Sequence, residues 1–421
     1  MKTLARNFVA SALAILSRGI LRKYRPIVVM VTGSVGKTST KDAVAAALGE
    51  HFLVRKSEKS YNSEFGVPLT IIGAKNPWTN VVRWLKVFQE GLALLMLPNH
   101  FPKLLVLEVG ADRPGDLAKI LRIATPDVVV VTKLPDVPVH VEAYATPQAV
   151  REEEFAPAYA LNPGAALIIS SDDPHALSMA TPLPVSITTY GYAEGADLQI
   201  RNARLAEGME GEVAIEGKHY TLRAPGALGK QQLYAPAAAL AVARALHVPV
   251  AQALSGLKKY TPPPGRARIL SGRNGSVLVD DTYNASPAAV EEALNALSLV
   301  PGSRRIAVLG DMLELGRYSA EEHTRIGAVA AKTCDLVVSV GTRARAIAEG
   351  ARKGGLADTQ VLEFSDSKGA AEALKEVVRE GDVVLVKGSQ SIRTERVTEA
   401  LLQRPEDLEK LVRQDKEWKR R

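Results

Sequence analysis

The sequence predicts an α/β protein made of two successive units, each built on a largely parallel β-sheet and joined by a stiff linker. Short runs of β-branched and aliphatic residues recur along the chain. The first series is Ile27–Val31, Leu104–Leu107, Val128–Val131 and Ala166–Ile169; the second is Val277–Val279, Ile306–Leu309, Leu336–Val340 and Val383–Val386. Helical patterns separate the runs, which is the rhythm of βαβ crossovers whose strands are buried on both faces. Between the two series, Thr261-Pro262-Pro263-Pro264-Gly265 makes a rigid connection that no helix can cross. The expected boundaries are 1–26 for an N-terminal basic amphipathic helix, 27–260 for the first unit and 261–421 for a second, Rossmann-like unit.

Taken in order, the chain opens with Lys2, Arg6, Arg18, Arg22, Lys23 and Arg25 around an uncharged stretch from Asn7 to Ser17. That stretch is far shorter than the roughly 20 residues a membrane-spanning helix needs. It also lacks a small-residue cleavage site, so no signal peptide is expected. What remains is a basic helix with Leu4, Phe8, Ala12, Ile15 and Leu16 on its apolar side. Two fates are open to it: packing on the first unit, or peripheral contact with a membrane through residues 1–25.

The strand Ile27–Val31 runs into Thr32-Gly33-Ser34-Val35-Gly36-Lys37-Thr38-Ser39-Thr40, and a helical pattern follows over Lys41–Leu48. A strand, a glycine turn and a helix N-terminus make a P-loop phosphate cradle. Backbone N–H groups and the helix dipole face the anion, Lys37 reaches the terminal phosphates, and the Thr38 hydroxyl can ligate Mg²⁺. Further on, Val81, Trp84, Phe88, Leu92 and Leu95 fall on one helical face between Trp78 and Leu97, expected to pack on its own unit, with an interaction surface as the alternative. From about 184 to 223, alternating runs such as Asp197–Ile200 and Glu212–Ile215 predict a small antiparallel section, and helix returns over Leu233–Leu246.

With 421 residues and one cysteine, Cys334, the chain has room for a sizeable core and no internal disulfide, which fits a reducing, cytoplasmic compartment. The net charge of +7 is scattered except at the two ends, the second being Lys416-Glu417-Trp418-Lys419-Arg420-Arg421. Such a charge suits nucleic acid, anionic lipid or anionic substrates; the expected partners are small anionic molecules, with no nucleic acid.

Five more motifs follow the glycine turn in order. They are Tyr61-Asn62-Ser63-Glu64-Phe65-Gly66-Val67-Pro68-Leu69-Thr70, Leu107-Glu108-Val109-Gly110-Ala111-Asp112-Arg113-Pro114-Gly115-Asp116, Asp280-Asp281-Thr282-Tyr283-Asn284-Ala285-Ser286-Pro287, Val308-Leu309-Gly310-Asp311-Met312-Leu313-Glu314-Leu315-Gly316 and Val386-Lys387-Gly388-Ser389-Gln390-Ser391. Together they resemble the Mur ligases, and most closely the branch that adds D-alanyl-D-alanine to a muramoyl tripeptide in peptidoglycan synthesis. The resemblance implies ATP- and Mg²⁺-dependent amide formation. A carboxylate attacks the γ-phosphate to give an acyl phosphate, and an amine then displaces phosphate. Positioning and charge neutralisation, rather than a protein nucleophile, drive such chemistry. It also implies small-molecule muramoyl-peptide and dipeptide substrates and a monomeric enzyme.

Residue by residue, the resemblance puts Gly33, Ser34, Gly36, Lys37, Thr38 and Ser39 on the phosphates, and Asp281, Tyr283 and Asn284 on the adenosine. Arg266 reaches the phosphates when the units close. Glu108 holds Mg²⁺ beside Thr38, and His140 ligates a second metal. Lys37, Glu108, His140 and Arg266 form the catalytic set, with Asn62, Lys387 and Ser389 near the substrates.

Three departures stand out. Many Mur ligases bind the second metal through a lysine carbamylated by CO₂, yet no lysine lies between Lys133 and Lys218. The run Arg151-Glu152-Glu153-Glu154 stands there, so Glu154 or Glu152 supplies the carboxylate directly, or the run is only a solvated helix face. Second, about 26 residues precede the first strand, where the D-alanyl-D-alanine-adding branch carries a domain for the UDP sugar. Third, Gln231-Gln232 and Gln390 replace the His-Asn and Arg of the family pattern, and an Arg lost there removes a bidentate carboxylate partner. Two alternatives therefore stay open: a Mur-type ligase with another acceptor and donor, or a nucleotide-binding partner subunit that does not ligate.

Overall fold

The computed structural model describes residues 2–58, 61–78, 80–215, 217–415 and 418, with side chains from residue 6 onward. The first sheet contains β1 (Ile27–Thr32), β2 (Val54–Lys56), β3 (Leu104–Glu108), β4 (Val128–Val131), β5 (Ala166–Ser170), β6 (Ser186–Gly191), β7 (Leu198–Leu205), β8 (Gly208–Ile215) and β9 (Lys218–Pro225). Their order is β2-β3-β1-β4-β5-β6-β7-β8-β9. Pairing is parallel as far as β7 and antiparallel through β8 and β9, so the expected antiparallel section is grafted onto one sheet edge.

Nine helices accompany this sheet among the described residues: α1 (Lys2–Tyr24), α2 (Lys37–Leu48), α3 (Gly66–Ile72), α4 (Val81–Met96), α5 (Asp116–Leu121), α6 (Pro147–Tyr159), α7 (Pro174–Ala180), α8 (Tyr234–Ala245) and α9 (Val250–Leu257). Alternate residues of β1 feed two separate cores. Val29 and Val31 join α2 and α8 on one face, while Val28 and Met30 join α1 and α3–α7 on the other. Burial on both faces is why the strand reads as one continuous apolar run.

The second sheet contains β10 (Arg268–Ser271), β11 (Val277–Asp281), β12 (Arg304–Gly310), β13 (Leu336–Val340), β14 (Val361–Phe364) and β15 (Asp382–Lys387), ordered β10-β11-β15-β12-β13-β14. Only β10 is antiparallel to its neighbour. The C-terminal ends of β1, β3 and β4 face those of β11, β12 and β15, and between them lies the crevice where open α/β sheets hold ligands. The units touch through Lys133 Nζ and Glu292 Oε1 at 2.5 Å. They are also laced beside the linker, where Leu228 N–H donates to Ala267 O and Ile269 N–H to Gly226 O, both at 2.8 Å.

Two helix faces differ from the expectation. On α1 the inward residues are Leu13, Leu16 and Ile20, whereas Phe8 and Ile15 are exposed; the Leu4 side chain lies outside the described set. On α4, Val87, Gly91 and Leu94 are buried, with Trp84, Phe88 and Leu95 half-buried, but Val81 and Leu92 point out. The rotation has a cause beyond periodicity. Lys23 Nζ donates to the carbonyls of Leu94, Leu95 and Leu97 at 2.8, 3.0 and 2.7 Å, and the Tyr24 hydroxyl donates to Leu94 O at 2.8 Å. Capping these end carbonyls locks the phase of α4 against α1.

Candidate active site

Two glycines shape the turn after β1. Gly33 and Gly36 have φ of 114° and 94°, a region L-residues rarely adopt, and a Cβ on Gly33 would lie 2.4 Å from Thr132 Oγ1. The turn is stitched to the next strand by Thr132 Oγ1–H to Thr32 O at 2.8 Å and Ser34 N–H to Lys133 O at 2.9 Å. It delivers Lys37 and Thr38 to the first turn of α2, and Lys37 Nζ bonds back to Gly33 O.

Glu108, the last residue of β3, is buried beside them. Its Oε1 accepts from Thr38 Oγ1 at 3.1 Å, and its Oε2 has no hydrogen-bond partner and lies 3.6 Å from Lys41 Nζ. An unsatisfied carboxylate oxygen next to a hydroxyl suits a hard cation that takes few protein ligands and completes its shell with phosphate and water. Among the described residues no cluster of three or more His, Cys, Asp or Glu converges as a ready-made cage.

His140 follows β4 in a left-handed conformation, φ 65°, which turns its ring across the crevice. Nδ1 lies 3.0 Å from Glu314 Oε2 of the second unit, and Nε2 lies 3.6 Å from Asp112 Oδ1. Burial by itself would lower the His140 pKa. The hydrogen bond and charge of Glu314, aided by Asp112, outweigh that and hold it above its ordinary value. Glu314 is correspondingly lowered, mainly by the same hydrogen bond.

The acidic run on α6 separates into three environments. Glu152 is exposed and accepts from Gln148 Nε2 at 3.0 Å. Glu153 accepts the backbone N–H groups of Gly115 and Leu117 at 3.0 and 2.9 Å, capping α5. Glu154 is buried under the P-loop, where its Oε2 accepts from Ser34 Oγ at 2.5 Å. Burial raises the Glu154 pKa, opposed by the Lys37 charge and the Ser34 bond.

The second unit closes the site. Arg266 stacks over the Tyr283 ring, 4.1 Å from its centroid, and its buried Nε has no hydrogen-bond partner. Asp281 accepts from Ala267 N–H at 3.1 Å and pairs with buried Lys387 Nζ at 2.7 Å, which also donates to Asn284 O at 3.0 Å. Ser389 Oγ accepts from Leu313 N–H at 2.9 Å.

A chamber of about 620 Å³ joins the two halves, with Lys37, Thr38, Glu108 and His140 on one side and Tyr283, Asn284 and Ser389 on the other. Asn62 and Arg266 also line it. A smaller cavity of about 110 Å³ behind the P-loop takes Ser39, Gln231, Gln232, Asp281 and Lys387, and Arg266 borders both. The sequence placed Lys387 beside Ser389 at the substrates; the two line different cavities, with Lys387 held by Asp281. Glu154 sits beneath the phosphate turn rather than in the chamber wall.

Sequence reasoning did not single out four residues that complete the second half. Glu314 lies within Val308–Gly316, and its φ of 67°, uncommon for a non-glycine, leaves no mark in the sequence. Arg413 donates to Thr282 O at 2.9 Å, to Tyr283 O and to Glu395 Oε2 at 2.9 Å, clamping the Asp281–Asn284 turn. Arg393 pairs with the other oxygen of Glu395 at 2.5 Å, and Trp418, under both guanidinium groups, lines the chamber. No local motif announces a tail that folds back over a turn so distant in sequence.

Comparison with known proteins agrees with this geometry. Residues 89–243 match the Mur ligase middle domain and residues 265–390 the Mur ligase, glutamate ligase domain. The chain is 28% identical over 403 residues to the UDP-N-acetylmuramoyl-tripeptide–D-alanyl-D-alanine ligase of Bacillus subtilis, covering 94% of this chain and 80% of that protein. The enzyme of the same name from Mycobacterium tuberculosis is 28% identical, over 89% of this chain and 72% of its own length. Among solved structures, MurF ligase from Thermotoga maritima in complex with ADP superposes with a TM-score of 0.77 at 30% identity, covering 93% and 83% of the two chains. Mycobacterium tuberculosis folylpolyglutamate synthase complexed with ADP, at 16% identity and a TM-score of 0.67, shares the fold. With a P-loop, a buried strand-end glutamate and a linker arginine meeting in one crevice, the chain belongs to the Mur ligase family of ATP-dependent ligases.

Proposed function

We propose that this enzyme adds D-alanyl-D-alanine to a UDP-muramoyl tripeptide through an acyl phosphate, in the synthesis of peptidoglycan precursors. The observation that carries the reading is the single chamber in which the phosphate turn and Glu108 of one unit face Arg266, Tyr283 and Asn284 of the other. Lys37 and the N-terminus of α2 hold the β- and γ-phosphates, and Arg266 adds a cation beside them when the units close. Thr38 and Glu108 would hold Mg²⁺, which neutralises phosphate charge when bound. His140 in the chamber wall would border a second metal position, with Glu154 supporting it from beneath the turn through Ser34. Asp281 orients the ribose side, and Tyr283 and Asn284 offer an aromatic face and an amide to the purine. Asn62 and Ser389 border the space left for acceptor and amine. The domain boundaries 27–260 and 261–421 are supported by the division of the strands into two sheets, β1–β9 and β10–β15.

A second reading keeps the ligation and changes the substrates. Gln390 and Trp418 both line the chamber, so an arginine that would grip the donor carboxylate is missing and an indole bounds the space. The purified chain with ATP, Mg²⁺, UDP-N-acetylmuramoyl tripeptide and D-alanyl-D-alanine is expected to yield the pentapeptide by mass spectrometry, with one phosphate released per amide. Lys37→Ala is expected to remove several kcal/mol of transition-state stabilisation and leave no measurable turnover. ATP hydrolysis driven by another acceptor and amine, with none by this pair, would select the second reading. Binding of ATP without any ligation would select a non-ligating subunit.

A further inference from the structure

We propose that the outer faces of α1 and α4 form one docking surface for an anionic membrane, making this a peripheral enzyme rather than a freely diffusing one. Twelve large apolar side chains stand exposed among the described residues, and nine of them belong to α1, α4 and their immediate flanks. Phe8 and Ile15 are 74% and 60% exposed on α1; Val81, Leu85, Leu92 and Met96 are 71%, 59%, 52% and 79% exposed on α4. Positions 81, 85, 92 and 96 fall on one stripe of a helix, about 22 Å long at 1.5 Å per residue.

The two helices lie side by side and run in the same direction. Leu16 abuts Gly91, Gly19 abuts Leu95, and Lys23 caps the far end of α4. Their inner faces are spent on the core described above, so the outer residues are not mis-set core positions. A two-helix apolar face of this size on a single chain marks a binding surface.

Charge identifies the occupant. Residues 1–25 contain six basic and no acidic side chains, and residues 75–103 four basic and one acidic. These two segments therefore carry a net +9 against +7 for the whole chain, leaving the remainder slightly acidic. Arg6, Arg22, Arg25, Arg83 and Lys86 are exposed on these two helices and at their ends. An exposed apolar face on segments of high net positive charge is what an interfacial element presents to anionic headgroups. A second copy of the chain would bring the same positive charge against itself, which opposes an isologous dimer. No helix of the described residues is long and apolar enough to cross a membrane, so the contact is a surface one.

The surface is also close to the chemistry. Arg6 pairs with Glu64 at 3.3 Å and stacks on Phe65 at 5.4 Å, and Trp84 meets Phe65 edge-on at 6.4 Å. This clamps the loop whose Asn62 lines the chamber. A docked enzyme would hold that wall of its chamber one loop from the lipid.

The test is flotation of the full chain with vesicles of phosphatidylcholine alone and of phosphatidylcholine with one-third phosphatidylglycerol. The protein is expected to float with the anionic vesicles at low salt, to be released in half-molar salt as screening shortens the reach of the charges, and to ignore the neutral ones. Leu85→Gln and Leu92→Gln should each weaken partitioning about tenfold, with melting temperature unchanged; Ile187→Gln, on β6, should float as the parent does. Failure to float with anionic vesicles overturns the proposal, as does undiminished flotation of the Leu85→Gln, Leu92→Gln pair. A dimer in sedimentation equilibrium that this pair dissolves, without vesicle binding, would assign the face to a second copy instead.

Discussion

Glu154 shows how much one residue's environment decides. Three consecutive glutamates on a helix diverge by about 100° each, and which one enters the site depends on the phase of α6. That phase is set at its start, where Thr146 Oγ1 accepts from Ala149 N–H at 3.2 Å. The acidic run was legible in the sequence, but the choice between Glu152 and Glu154 was not, because both are equally acidic and only packing distinguishes them. If Glu154 supplies an unmodified carboxylate, activity is expected to be the same with and without added bicarbonate. Glu154→Gln should weaken metal activation about ten- to a hundredfold, in the range of losses at metal-supporting residues, while Glu152→Gln has no effect. Mg²⁺ titrations of initial rate check both, and a bicarbonate-dependent rate in the parent enzyme would exclude the idea.

At the scale of elements, the strands were the most readable part and the tail the least. β13 coincides with the run Leu336–Val340, and the βαβ rhythm located most of the remaining parallel strands within a residue or two. The faces of α1 and α4 were misjudged because capping by Lys23 and Tyr24, a tertiary contact, overrides the count of apolar positions. β11 carries a further consequence of burial. Asp280 is fully enclosed; its Oδ1 accepts from Thr282 and Thr398 at 2.7 and 3.2 Å, and its Oδ2 has no partner. Desolvation, only partly offset by those bonds, pushes its pKa up to about 6 from an ordinary 3.8. Between these values the folded chain keeps a proton that the unfolded chain has released, so stability falls as pH rises through the window and stays lower above it. Asp280→Asn is expected to gain up to about 3 kcal/mol above pH 7 and almost nothing near pH 4. Urea midpoints across pH measure the difference, and a pH-independent effect would refute it.

For the whole molecule, two sheets point their C-terminal ends at one crevice and are joined by a linker of three prolines. Across the crevice stand the polar contacts of Lys133 with Glu292 and of His140 with Glu314, while Leu228, Val137 and Leu205 pack on the second unit's core beside the linker, the place for a hinge. X-ray scattering is expected to show a smaller radius of gyration with ATP and acceptor than without. Glu292→Lys, which sets two cations against each other, should enlarge the ligand-free particle. Identical curves in all three cases, with turnover intact, would mean a fixed crevice. The sequence announced the two units and most of the phosphate half. It could not announce Arg413 or Trp418, because a contact spanning 130 residues leaves no local pattern.

That long-range clamp has a bearing on biosynthesis. Tyr283 is translated 130 residues ahead of the guanidinium that grips its carbonyl. While the polypeptide is still growing, the turn that completes the other half can already meet Gly265, Arg266 and Ala267, yet its outward carbonyls wait for Arg413. The nucleotide crevice is thus completed only once the C-terminal end of the chain has been made.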